Sequence, residues 1–115
     1  MLSVNAKVSL DNPSQAYFEE VDIRDIADRN CFSYLDNENV RCQMSVFDDG
    51  ICFVREAEDH ALKLSLRDEK YALISSEEGN IKIDLKVVDF QINSDILVMR
   101  YLIDDEERTI RIQYY

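Results

Sequence analysis

Leu2-Ser3-Val4-Asn5-Ala6-Lys7-Val8-Ser9-Leu10 alternates apolar and polar side chains without interruption. Successive side chains of a β-strand point to opposite faces, so this run separates its apolar residues from its polar ones. The same period returns in Val40-Arg41-Cys42-Gln43-Met44-Ser45-Val46 and in Leu62-Lys63-Leu64-Ser65-Leu66-Arg67. Ile81-Lys82-Ile83-Asp84-Leu85, Val88-Asp89-Phe90-Gln91-Ile92 and Ile110-Arg111-Ile112-Gln113-Tyr114 repeat it. Each run predicts a strand buried on one face.

Turn signals separate the runs at intervals of roughly ten residues, the spacing of sandwiches and barrels. They include Asp11-Asn12-Pro13-Ser14, Asp36-Asn37-Glu38-Asn39, Asp48-Asp49-Gly50, Glu77-Glu78-Gly79-Asn80 and Asp104-Asp105-Glu106-Glu107. Asp49-Gly50 is the sharpest, because Asp-Gly accepts the positive φ angles of a tight hairpin. Connections this short cannot hold crossover helices, so neighbouring strands run antiparallel. Two stretches differ. Tyr17 to Arg29 reads as a strand with a bulge or bend, and Ile96-Leu97-Val98-Met99 is apolar on both faces. The latter predicts cover from both sides, by a terminus or by a partner chain.

About ten short strands in an open sheet would leave exposed edges, which closure removes. The expected fold is all-β: an antiparallel up-and-down meander closed into a small barrel of about eight to ten strands. Residues 1–115 are read as one domain, a size at which one core suffices without metal or disulfide. No apolar run approaches ~18 residues, and the N-terminus is too polar for a signal peptide. The reading is therefore a cytoplasmic protein. Its net charge of −11 repels phosphate backbones and anionic membrane faces, so neither nucleic acid nor membrane is an expected partner. Cys31, Cys42 and Cys52 form no CxxC pair and sit in or beside apolar runs, which predicts buried, reduced thiols.

Few residues offer chemistry. Both glycines, Gly50 and Gly79, fall in hairpin turns, so no phosphate loop exists. A lone His60 and three scattered cysteines make no zinc motif. Asp36-Asn37-Glu38-Asn39 is similar to a calcium loop, yet Arg41 stands where that loop needs its sharp-turn glycine. No metal and no cofactor are expected, and no catalytic residue is readable. His60 lies in phase with Leu62, Leu64 and Leu66, which puts its ring near one end of the barrel. Arg55 is in phase with Ile51 and Phe53, but Cys52 and Val54 are apolar too, leaving its direction open. Turned inward, it would have to meet a carboxylate or a bound anion. Tyr34, Tyr71 and Tyr101 are candidate cavity liners with polar tips.

Phe32-Ser33-Tyr34-Leu35, then Asp48-Asp49-Gly50 leading into Ile51-Cys52-Phe53-Val54-Arg55, resembles the YwiB-like family of small bacterial proteins. Leu62-Lys63-Leu64, Tyr71 and Glu78-Gly79-Asn80-Ile81-Lys82-Ile83 extend the resemblance from about residue 30 to the end. It implies a calycin, lipocalin-like barrel and supplies no activity. Arg55 is followed here by Glu56 and Ala57, where that family usually has a glycine. The chain also lacks the Gly-x-Trp signature of classical lipocalins.

Two functions follow as expectations. The first is a binding module holding a small apolar or anionic ligand, with Arg55, His60, Tyr34, Tyr71 and Tyr101 as its site. The second is a homodimeric interaction or structural protein joined through Ile96, Val98, Leu102 and Tyr115. An enzyme is the weaker third reading.

Overall fold

The computed structural model describes residues 4–12 and 17–115; Leu2, Ser3 and the turn at Pro13-Ser14 lie outside them. The strands are β1 (Val4–Asn12), β2 (Tyr17–Ile26), β3 (Cys31–Leu35), β4 (Arg41–Phe47) and β5 (Gly50–Glu56). β6 (His60–Leu66), β7 (Lys70–Ser76), β8 (Gly79–Ile92), β9 (Ile96–Ile103) and β10 (Glu106–Tyr114) follow, with no helix among the described residues. They form one sheet in the order β2-β1-β10-β9-β8-β7-β6-β5-β4-β3, and every ladder is antiparallel. The sheet curls into a nearly closed barrel.

Closure brings the termini together rather than leaving them at the edges. β1 pairs with β10, from Ala6 opposite Tyr114 to Asp11 opposite Thr109. The seam falls between β2 and β3, which share no ladder. It is bridged by Asn37, whose N–H donates to Glu19 Oε1 at 3.2 Å and whose side-chain amide donates to the Glu20 carbonyl at 3.3 Å. β2 carries Glu19, Glu20, Asp22 and Asp25, and carboxylates on an edge strand discourage pairing with other chains.

The alternation maps onto the barrel directly. Ala6 and Val8, Met44, Ile51, Leu66, Leu97, Met99, Ile110 and Ile112 point inward and are at most 1% exposed. Burying a side chain of this size contributes roughly 1.5–3 kcal/mol. These residues fill the half of the barrel opposite the β3–β4, β5–β6, β7–β8 and β9–β10 turns. Two bulges keep the inward rows in phase. On β2 the register slips between Val4 and Ala6 of β1, and Asp25 (φ 58°) donates its N–H to Asn5 Oδ1 at 3.1 Å. This is the bulge expected within Tyr17–Arg29. The two runs read as Ile81–Leu85 and Val88–Ile92 are one long strand, β8, with a slip between Val87 and Asp89. Val88 is the extra residue and points outward at 47% exposure, which corrects its expected place in phase with Phe90.

Gly50 is not one of the two loop residues of its hairpin. Phe47 pairs with Gly50, so the loop is Asp48-Asp49, and Gly50 opens β5. Its role is close approach: a Cβ there would lie 1.8 Å from the Leu66 carbonyl oxygen. The left-handed turn is elsewhere, at Asp104 (φ 49°) and Asp105 (φ 63°) between β9 and β10. Such a pair of positive φ angles defines a hairpin turn whose twist matches its strands.

The thiols also depart from expectation. Cys42 faces the core at 1% exposure, whereas Cys31 is exposed and Cys52 half-buried on the outer face. Phe32 and Tyr34 hold the inward phase of β3, so Cys31 must point out. Cys31 and Cys52 both lie opposite Ser45, from either side. Two strand spacings, about 9.5 Å, are too far for a disulfide.

Candidate functional site: a cavity at one end of the barrel

Alternate turns of a meander lie at the same end, so the turns after β3, β5, β7 and β9 surround one mouth. A cavity of about 730 Å³ opens there. Phe53, Leu62, Leu64, Ala72, Ile74, Ile83 and Ile103 form its apolar wall, and Arg55, His60, Tyr101 and Arg108 are polar groups on it. Toward the other end the inward side chains are fully buried, and at this end the barrel opens into the cavity.

Arg55 faces inward and meets a carboxylate. Its Nε donates to Asp36 Oδ2 at 2.8 Å, and Nη2 donates to Glu38 Oε2 at 3.2 Å. Asp36 continues the inward phase of Phe32 and Tyr34, and its side chain is 4% exposed. Its other oxygen accepts the N–H groups of Glu38 (2.9 Å) and Val40 (3.0 Å), so one carboxylate fixes the β3–β4 turn and anchors Arg55. Burial alone would raise the Asp36 carboxyl; the Arg55 hydrogen bond and the two amides outweigh it and hold the group below its usual range. This is a structural ion pair, and Asn37, which bridges the seam, sits on the turn it holds.

Arg108 is different. It lies directly opposite Tyr101 in the β9–β10 ladder, in phase with the buried Ile110 and Ile112. Glu106, one inward position nearer the mouth, is 3.7 Å from Nη2, beyond ordinary hydrogen-bond length. Its Nε is buried with no hydrogen-bond partner. An unsatisfied buried donor of this kind costs roughly 1–3 kcal/mol. Burial raises the Tyr101 hydroxyl above its ordinary value, and the adjacent Arg108 only partly opposes this, so the phenol stays neutral.

His60 stands at the mouth, its Nδ1 2.7 Å from Asp59 Oδ1, with its side chain 46% exposed. No hydroxyl or thiol bonds to it among the described residues. The Cys42 thiol is pushed up to about 12, by burial first and then by the neighbouring Asp36 carboxylate, so it supplies no thiolate. No group of three His, Cys, Asp or Glu side chains among the described residues is placed to hold a metal ion.

The cavity thus gathers Arg55, His60 and Tyr101. Tyr34 is buried opposite Cys42, behind the Asp36 turn, and is not on the wall. Tyr71 is a correction: it lies on the outer face, with the Lys63 and Lys82 amines 5.7 Å and 4.8 Å from its ring centre. Ala72 takes the inward phase of β7, which turns Tyr71 out. Ile96, Val98 and Leu102 occupy the outer face of β9, half-buried, and Tyr115 is 62% exposed. Arg100, bonded to Glu107 at 2.9 Å, interrupts that row. Arg108 and Asp36 were missed in the sequence, although both stand in phase with apolar neighbours.

No protein-family model matches the chain, and no curated protein matches it. Its fold is similar to that in the crystal structure of ywiB protein from Bacillus subtilis, with 14% identity over 97% of this chain and 88% of that one and a TM-score of 0.39.

Proposed function

We propose that this barrel is a binding module for one small, mainly apolar ligand that carries a hydrogen-bond acceptor. A lipocalin-like carrier describes such a module. The observation that carries the reading is the cavity at one end of the barrel with Arg108 on its wall. Small-molecule sites are concave, about 300–1,000 Å³, mostly apolar and equipped with few polar groups. The cavity falls in that range; Arg108 and Tyr101 stand on one side of its wall and the Arg55 pair on the other, and Asp11, Glu19 and Glu106 line it toward the mouth. Arg55 is committed to Asp36, which leaves Arg108, whose Nη2 has Glu106 at 3.7 Å and whose Nε is orphaned, as the donor in need of a partner.

Calorimetric titration with 1-decanol tests this. The wild type is expected to bind one equivalent. Arg108→Met removes a hydrogen bond from a charged donor, roughly 1.5–3 kcal/mol, and should weaken binding about tenfold or more. Ile74→Trp, which fills the cavity, should abolish it. Equal binding by all three proteins would overturn the reading. A homodimer through the outer face of β9 has less support, because the Arg100–Glu107 pair divides Ile96 and Val98 from Leu102.

A further inference from the structure

The mouth of the cavity is far more acidic than its interior. The turn after β5 carries Glu58 and Asp59, the turn after β7 Glu77 and Glu78, and the turn after β9 Asp104 and Asp105. Among the described residues no lysine or arginine forms an ion pair with these six, and Asp59 meets His60. Of the two cations nearest the mouth, Arg55 is bonded to Asp36 and Glu38, whereas Arg108 has Glu106 3.7 Å from Nη2 and no partner at Nε. Arg108 lies one inward position below Glu106, so a molecule entering meets negative charge before it meets the guanidinium, with the apolar wall beside and below.

Resting on the cavity-binding reading above, we propose that the ligand is a zwitterionic amphiphile. Its acceptor end, a carboxylate or similar group, reaches Arg108 and Tyr101, an apolar chain fills the wall, and an amine remains at the mouth among the turn carboxylates. The physical reason is opposition between two fields. A carboxylate gains a charge-assisted hydrogen bond from Arg108. A ligand that is only anionic must cross the acidic mouth to reach it, and a mouth of one sign repels like-charged ligands. An amine at the other end converts that repulsion into attraction.

The experiment compares decanoate with 10-aminodecanoate by calorimetric titration at about 10 mM and about 1 M ionic strength, where screening lengths are about 30 Å and 3 Å. The expected result is at least tenfold tighter binding of 10-aminodecanoate at low salt, with the ratio falling toward one at high salt. Asp104→Asn with Asp105→Asn keeps residues that accept positive φ, and should lower the low-salt ratio several-fold. Decanoate binding as tightly as 10-aminodecanoate at low salt overturns this inference and leaves the cavity reading standing. Failure of 1-decanol and both acids to bind overturns the two together.

Discussion

Asp36→Asn separates the structural ion pair from the rest of the barrel. The substitution keeps an oxygen to accept the Glu38 and Val40 amides, but it sets an NH₂ group against the Arg55 Nε–H. Breaking a fully buried pair costs about 3–5 kcal/mol. Asp36 is nearly buried, whereas the Arg55 side chain is 21% exposed and keeps Glu38, itself largely in water. Solvent and Glu38 offset part of the loss, so the expected cost at pH 7 is about 2–3 kcal/mol. Urea unfolding measures it, with a midpoint lowered by about 1–2 M at an ordinary slope for this size. The pH dependence supplies a second check. The folded-state pKa of Asp36 is depressed, so its contribution is fully present above the unfolded carboxylate value and is lost as pH falls through the folded one. The gap between the two proteins should therefore stay level from pH 7 to about pH 5 and narrow below about pH 4. A cost under about 0.5 kcal/mol, or a gap that widens on acidification, would refute the role assigned to Asp36.

Gly50→Ala should destabilise by about 3 kcal/mol in the same assay, because its Cβ meets the Leu66 carbonyl rather than a yielding side chain; a change near zero would mean that β5 and β6 can move apart. In the native protein Cys31 should label fastest with a thiol reagent and Cys42 only on unfolding, read by mass spectrometry; rapid labelling of Cys42 would contradict its burial. Val98→Asp, on the outer face of β9 opposite Gln91 and Arg111, should cost about 1 kcal/mol and leave the sedimentation coefficient unchanged, whereas slower sedimentation than the wild type would favour the homodimer.

The period of two carried most of the fold. Runs such as Val40–Val46 and Ile110–Tyr114 state their inward faces outright, and short polar turns between them leave only antiparallel ladders. The same rule places Arg108, two residues before Ile110, and Asp36, two residues after Tyr34, on the inner face. A charged residue in an inward phase is a signal that residue type alone conceals. Tyr71 was misplaced because its neighbours Ala72, Leu73 and Ile74 are all apolar, so alternation cannot choose a face there. Val88 was misplaced because a bulge resets the phase within an otherwise regular strand, and no turn residue marks it. That the barrel is hollow at one end depends on how ten strands tilt and pack, which no single strand encodes.

Methyl-resolved NMR of the isoleucine and leucine side chains during a 1-decanol titration tests the central claim, a ligand held in the outer half of the barrel. Saturable shifts are predicted for Leu62, Leu64, Ile74, Ile83 and Ile103, which line the cavity, and none for Ile51, Leu66, Leu97 and Ile112 in the packed half. Shifts confined to outward residues such as Ile96, or no saturable shift at all, would contradict it.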